Sequence, residues 1–216
     1  MIQAFIFDMD GVIIDSEPLQ LQSFNHVLKK YNIIVSMPEF KEKYMGYKDI
    51  QICEKIIDDY NLSLTKDEFV SNKRAAYLKI LKQGTIEPIS GAVEAIKEIS
   101  SLMPIAIASS SNKLEIETII GRFGVRDLFL VLVSASEVKN GKPAPDVYLR
   151  VAKLMNIDPN KCGVIEDTQL GVHAAKNAGM YCIGITTTHT KDELQDADRV
   201  IDSFEHLMSA IQRVIR

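Results

Sequence analysis

Residues 4–12 read AFIFDMDGV, an apolar run that ends on two carboxylates one residue apart, followed at once by a glycine. An apolar run without polar alternation is typical of a strand buried on both faces of a parallel sheet. Open parallel sheets bind their ligands at the carboxyl ends of the strands. The pattern therefore places Asp8 and Asp10 where a catalytic site is expected, although these residues alone also fit an ordinary acidic turn after a strand.

The composition is that of a globular protein. The 216 residues are 46% hydrophobic and 25% charged, enough for one domain or for one domain with an insertion. A formal net charge of −4 without a long basic run argues against nucleic acid as a partner. No apolar run is long enough to cross a bilayer, and the N-terminus shows no cleavable leader, so no membrane partner is expected. The cysteines, Cys53, Cys162 and Cys182, lack metal-ligand spacing and are interpreted as free thiols of a cytoplasmic protein.

The segment after the first strand is predicted to be entirely helical. Ser16 and Pro18 are typical of a helix start, and the capping-box pattern at 65–68 begins a helix that runs to about residue 83. No convincing strand lies between residues 17 and 85. We therefore expect a helical block immediately after the first strand.

The second half of the chain alternates strands with helices, which predicts an α/β fold with a doubly wound parallel sheet. Residues 1–15 and 87–216 are expected to form this core, and residues 16–86 a helical cap domain inserted at the first crossover. The predicted strands are 105–109, 128–133, 162–166, 180–185 and 199–201, and the predicted helices are 91–101, 112–123, 146–155, 170–178 and 203–214.

Further polar residues stand at the predicted strand ends. Ser109 ends one strand and leads into a helix, where plain helix capping is the alternative interpretation. Lys142 lies in a stiff Gly/Pro turn, and Glu166 and Asp167 close another strand. Clustered carboxylates are usually stabilised by a hard divalent cation, while serine and lysine supply donors for a phosphate. Taken together, these residues predict a magnesium-dependent phosphoryl site.

With these residues in place, the chain resembles the haloacid dehalogenase-like (HAD) hydrolase superfamily over nearly its whole length. The matching motifs are DMDGV at 8–12, Ser109, GKPAPD at 141–146, and Glu166 with Asp167. The aspartate pair distinguishes the chain from the dehalogenases, which lack the second acid. The closest resemblance is to the β-phosphoglucomutase-like group and its sugar-phosphate phosphatases.

The resemblance implies a role for each motif residue. Asp8 would be the nucleophile that forms an aspartyl-phosphate, and Asp10 the general acid/base. Mg²⁺ would be held by Asp8, the backbone carbonyl of Asp10 and Asp167, with Glu166 binding directly or through water. Lys142 would neutralise Asp8 and the phosphoryl oxygens. Three consecutive hydroxyls would bind the phosphoryl group: Ser109, helped by Ser110 and Ser111.

Substrate selection is expected in the cap, which would close over the site. The turn 45–49 falls where the family carries its substrate-specificity loop, so Gly46 and Lys48 are candidate substrate-binding residues. Lys73, on the last cap helix, is a further candidate. For both lysines a solvated surface side chain is the competing interpretation.

The predicted function is a Mg²⁺-dependent phosphatase acting on a small phosphomonoester, most simply a sugar phosphate. A β-phosphoglucomutase-type mutase is the alternative, but those mutases carry a histidine near Gln20 and an arginine where this chain offers Lys48. A receiver-like phosphoacceptor module is an alternative of another class, opposed by the early Asp8 and the helical insert. A capped binding protein without catalysis is a further alternative, opposed by the intact motifs. The expected partner is a small phosphorylated metabolite, and the expected state is a monomer.

Overall fold

The structure, a computed structural model, describes residues 1–44, 47 and 49–215. The chain divides into two compact units, one made of residues 1–15 and 87–216 and the other of residues 16–86. Among the described residues, no helix combines the length and the apolar composition needed to span a membrane.

The first unit is built on a six-stranded parallel sheet. Its strand order is β3-β2-β1-β4-β5-β6, so the first strand lies at the centre of the sheet. This order is that of a doubly wound sheet, and the predicted fold class is confirmed. The strands are β1 (Ala4–Phe7), β2 (Ile105–Ser109), β3 (Phe129–Ser134), β4 (Cys162–Glu166), β5 (Tyr181–Ile185) and β6 (Arg199–Ile201).

The described residues of the first unit form five α-helices. The first four begin and end within one residue of their predicted bounds, whereas the last one, at the end of the chain, does not. They are named after the four helices of the second unit: α5 (Ala92–Leu102), α6 (Lys113–Arg122), α7 (Asp146–Met155), α8 (Gln169–Asn177) and α9 (Leu207–Ile211).

The predicted closing helix 203–214 is wrong in extent. A 3₁₀ turn at Phe204–His206 precedes the short α9, and the carbonyl of Val214 accepts a hydrogen bond from the N–H of Ile2. The end of the chain therefore bonds to the segment before β1 instead of continuing as a helix.

The second unit is helical throughout its described residues. It contains α1 (Glu17–Leu28), α2 (Met37–Lys43), α3 (Asp49–Tyr60) and α4 (Lys66–Gln83). The predicted capping box is present at Thr65, whose side chain accepts from the N–H of Glu68 while Glu68 accepts from the N–H of Thr65. The unit has its own apolar core, which includes Leu21, Phe24, Leu28, Phe40, Tyr44, Ile56 and Phe69.

Candidate active site

Parallel pairing brings two acids of the first unit side by side. Phe7 of β1 is in register with Ile165 of β4, so the residues that follow, Asp8 and Glu166, meet at the carboxyl edge of the sheet. Lys142 reaches the same place from the loop between β3 and α7. Its Nζ lies 2.6 Å from Asp8 Oδ1 and 2.5 Å from Glu166 Oε1, and all three side chains are at least nine-tenths buried.

Burial and the neighbouring charges shift the pKa values of these groups. Burial raises the pKa of Asp8 well above its ordinary value, partly opposed by Lys142. Burial acts to raise the pKa of Glu166 as well, but Lys142 and several hydrogen bonds outweigh it and leave that pKa lowered. Burial would lower the pKa of Lys142, yet Asp8 and Glu166 hold it above its ordinary value. Lys142 is therefore a charged ammonium shared by two acids.

Glu166 is fully buried and its oxygens are saturated with donors. Oε1 accepts from Lys142 and from the hydroxyl of Tyr148 at 2.8 Å. Oε2 accepts from the N–H groups of Asp167 and Thr168 and from the Thr168 hydroxyl. A Cβ added at Gly171 would lie 1.7 Å from Oε1, so helix α8 needs a glycine above this carboxylate.

Tyr148 was not among the residues singled out by the sequence, because its place on the apolar face of α7 is typical of a core tyrosine. In the structure, its hydroxyl donates a hydrogen bond to Glu166, and the centre of its ring lies 5.2 Å from Lys142 Nζ. A tyrosine ring at this distance adds a cation–π attraction to the ammonium. Tyr148 thus contacts both members of the Lys142–Glu166 ion pair.

We expect Tyr148→Phe to lower the free energy of unfolding by about 1–3 kcal/mol, since a buried charged acceptor loses one donor while the ring is kept. Urea unfolding at neutral pH would measure this change. Tyr31→Phe, in the second unit, is the control. Equal stability of Tyr148→Phe and the wild type would contradict the contact with Glu166.

Asp167 is 1% exposed and lies against Gly11. A Cβ on Gly11 would lie 1.9 Å from Asp167 Oδ2, and the φ of Gly11 is +82°, so both space and backbone conformation require glycine here. Burial and the repulsion of Glu166 raise the pKa of Asp167 to about 7. Its Oδ1 is buried and has no hydrogen-bond partner among the described residues.

Asp10 is held by two serines at the end of β2 and just after it. Its Oδ2 accepts from the hydroxyl of Ser111 at 2.8 Å and from that of Ser109 at 3.3 Å, while Oδ1 is buried without a partner among the described residues. Ser110 is exposed. The helix cap of α6 is Asn112, which accepts from the N–H of Glu115, so plain capping does not account for Ser109.

The cluster fits a divalent cation. Carboxylate oxygens of Asp8, Glu166 and Asp167 lie within 4.8 Å of one another. With Asp10 nearby, four acids lie around the ammonium of Lys142. Two buried carboxylate oxygens, on Asp10 and Asp167, lack partners among the residues described, and buried polar atoms in that state are rare in folded proteins. A hard cation that prefers oxygen ligands would satisfy both the charge and the orphaned oxygens.

The structure describes one of the three substrate-binding residues predicted in the second unit. Gly46 and Lys48 lie outside the described residues. Lys73 is 1% exposed, so a solvated surface side chain is wrong for it. Its Nζ lies 2.6 Å from Asp49 Oδ2, donates to Gln20 Oε1, and lies 4.9 Å from the centre of the Phe24 ring. These contacts lie within the second unit and fix Lys73 there.

Comparisons with known proteins show the family to which the chain is similar. Residues 5–185 match the family model of the haloacid dehalogenase-like hydrolases. A fructose-1-phosphate phosphatase of Escherichia coli (strain K12) is 31% identical, over 83% of this chain and 94% of the relative. A phosphorylated carbohydrates phosphatase of Thermotoga maritima is also 31% identical, over 82% of each chain. The solved structure of a putative β-phosphoglucomutase from Thermotoga maritima superposes with a TM-score of 0.85 at 27% identity, over 99% of this chain and 100% of that one.

These relatives confirm the predicted enzyme class, a HAD-type phosphoric monoester hydrolase. The matched segment begins in β1, just before Asp8, and ends with β5, so it contains every motif residue of the candidate site. The chain belongs to the haloacid dehalogenase-like hydrolase family.

Proposed function

We propose that the protein is a Mg²⁺-dependent phosphatase that hydrolyses a small phosphomonoester through an aspartyl-phosphate. The observation that carries this proposal is the buried pairing of Asp8 with Lys142 next to three further acids at one sheet edge. Asp8, whose carboxylate is paired with the ammonium of Lys142, would be the nucleophile. Asp10, whose Oδ1 has no partner among the described residues, would be the separate proton carrier.

In the first step, a carboxylate oxygen of Asp8 forms a bond to phosphorus while the ester P–O bond breaks. Asp10 gives its proton to the leaving alkoxide, which departs as an alcohol. In the second step, water attacks the aspartyl-phosphate and gives a proton to Asp10, and the products are inorganic phosphate and the restored Asp8. Lys142 stays charged throughout and offsets negative charge on Asp8 and on the phosphoryl oxygens.

The cation would be held by Asp8, by Asp167 through its unpartnered oxygen and by the backbone carbonyl of Asp10. Glu166 already accepts five hydrogen bonds, which favours contact with the cation through water over a direct bond. When bound, Mg²⁺ would neutralise the phosphoryl oxygens and orient the phosphate group. Ser109, Ser110 and Ser111 remain the proposed hydrogen-bond donors to that group, for which the hydroxyls of Ser109 and Ser111 would turn away from Asp10.

The proposed substrate is a sugar phosphate, because the relatives include phosphatases named for fructose 1-phosphate and for phosphorylated carbohydrates. A phosphosugar mutase is the second candidate, favoured by the fold of the putative β-phosphoglucomutase. The chain has Gln20 and its neighbours where the resemblance implies a mutase histidine, and the Gln20 amide oxygen accepts from the buried Lys73. This hydrogen bond between Gln20 and Lys73 supports the phosphatase over the mutase. We further propose a cytoplasmic location, because all three cysteines are free and buried. The proposed oligomeric state is a monomer.

The test is phosphate release from a panel of phosphomonoesters, including fructose 1-phosphate and β-glucose 1-phosphate. We expect release that stops when EDTA removes divalent cations and returns with added Mg²⁺. Conversion of β-glucose 1-phosphate into glucose 6-phosphate without free phosphate would establish the mutase instead. A long-lived phosphoprotein without turnover would indicate a receiver-like module, and activity that is indifferent to EDTA would contradict the proposed cation.

A further inference from the structure

The loop after β5 contacts two of the acid-bearing segments of the site. Thr187 donates its hydroxyl hydrogen bond to the carbonyl oxygen of Gly11, directly after the first acid pair. Thr188 donates to Oδ2 of Asp167, and its hydroxyl also lies 3.4 Å from the Asp167 carbonyl oxygen. The loop therefore ties the end of β1 to the end of β4 through side-chain hydroxyls.

The two carboxylate oxygens of Asp167 differ in their contacts. Oδ2 is held by Thr188 and packs against the backbone of Gly11, where a Cβ would lie only 1.9 Å away. Oδ1 is buried and has no partner among the residues that the structure describes. Rotation about the Cβ–Cγ bond would exchange the two oxygens, and the Thr188 hydrogen bond opposes that rotation. One oxygen is fixed and the other is left for a ligand.

His189 orients the hydroxyl in turn. Its Nδ1 lies 2.9 Å from Thr188 Oγ1. A hydroxyl has one proton, and Thr188 directs it to Asp167 Oδ2, so its lone pairs can accept from His189 in the tautomer that carries a proton on Nδ1. Thr188 thus lies between His189 and Asp167 in a chain of hydrogen bonds.

We propose that Thr188 is the positioning residue of the cation site: by holding Oδ2, it makes Asp167 a single-oxygen ligand through Oδ1. This inference rests on the proposed Mg²⁺ function. It also predicts selectivity, because Mg²⁺ demands near-octahedral geometry at short distances, whereas Ca²⁺ accepts carboxylates that bind through both oxygens. Releasing Oδ2 would therefore harm Mg²⁺ binding more than Ca²⁺ binding. Groups that orient metal ligands typically change metal affinity by about 10- to 100-fold when they are lost.

The test measures binding of Mg²⁺ alone and of Ca²⁺ alone by titration calorimetry, without substrate. Thr188→Val keeps the shape and removes the hydroxyl, and Thr188→Ser keeps the hydroxyl. Thr118→Val is the matched control, since Thr118 on α6 is partly exposed and its hydroxyl donates to the Leu114 carbonyl in the described structure. We expect Thr188→Val to weaken Mg²⁺ binding about 10- to 100-fold, with a smaller loss for Ca²⁺, and Thr188→Ser and Thr118→Val to bind as the wild type does.

Mg²⁺ binding by Thr188→Val equal to that of the wild type would overturn the inference while leaving the proposed function intact. Equal losses for both cations would also overturn it, because a merely structural role for Thr188 would weaken both alike. A wild type that binds neither cation would instead overturn the proposed function, and this inference with it. If Thr188→Val fails to fold, the Mg²⁺ to Ca²⁺ affinity ratio of a Thr188→Ala variant provides the same comparison.

Discussion

Asp8→Asn is expected to lower phosphatase activity by at least about 10³-fold, to the limit of detection. The amide nitrogen and oxygen of asparagine cannot form the acyl phosphate, and the loss of a nucleophile removes the covalent route as a whole. The substitution is nearly isosteric, and the asparagine oxygen can still accept from Lys142. Phosphate release from the best substrate of the panel measures the effect, and Asp127→Asn, at an exposed position on the first unit, serves as the control.

The same variant should keep its stability, which separates a chemical from a structural effect. Burial and three neighbouring acids raise the pKa of Asp8, so its ionised form is unfavourable in the folded protein without a cation. A neutral amide removes that repulsion, and we expect a thermal midpoint in EDTA equal to or above that of the wild type. Retained turnover in Asp8→Asn would refute Asp8 as the nucleophile, while an inactive but unfolded variant would show that Asp8 is needed for folding.

Lys142→Met should have the largest effect on stability. Removing the ammonium leaves Asp8 and Glu166 buried without their shared counter-ion, and breaking a buried ion pair from one side typically costs about 3–5 kcal/mol. Methionine keeps the length of the side chain, so the loss reports mainly the charge. Urea unfolding in EDTA measures it, and Lys161→Met, at an exposed ion pair, is the control with an expected change below about 1 kcal/mol.

The loss in Lys142→Met should depend on pH in a stated direction. Without the ammonium, the pKa values of Asp8 and Glu166 in the folded state rise above those in the unfolded chain. The folded state then binds more protons than the unfolded state, so stability falls as the pH rises and the deficit shrinks in acid. A deficit that grows on acidification from pH 8 to about pH 5 would contradict this ion-pair arrangement. Combining Lys142→Met with Glu166→Gln should cost less than the sum of the two single changes, because they share one interaction.

The positions of Asp8, Glu166 and Lys142 could be predicted from the sequence because a parallel sheet allows few arrangements of its strand ends. A short apolar run predicts a strand, and the last residue of that strand lies at the carboxyl edge of the sheet. Because helices alternate with the strands, the strands are parallel and their carboxyl ends lie at the same edge. For that reason the bounds of β2, β4, β6 and α7 are confirmed to the residue. Asp8, Lys142 and Glu166 were expected together and lie together.

Other parts of the site depend on contacts that no local pattern encodes. Tyr148 occupies an apolar helix face, and only the packing of α7 shows that its hydroxyl meets Glu166. The burial of Lys73 follows from the simultaneous approach of Gln20 and Asp49, which are distant in sequence. Thr187 and Thr188 carried a signal that could have been used, since they follow a strand at the same edge as the motif residues.

The central position of β1 has a consequence for the order in which the chain can fold. Ile6 pairs with Ala106 of β2 on one side and with Val164 of β4 on the other, so the strand that carries Asp8 is synthesised first and completes its pairing only after β4 has been made. During synthesis, this strand must wait for partners about one hundred and one hundred and sixty residues downstream, at the entropic cost of closing long loops. The helical unit between them, with its own core, can become compact in the meantime and shorten the effective loop. A nascent chain that ends before β4 therefore contains the nucleophile but no assembled active site.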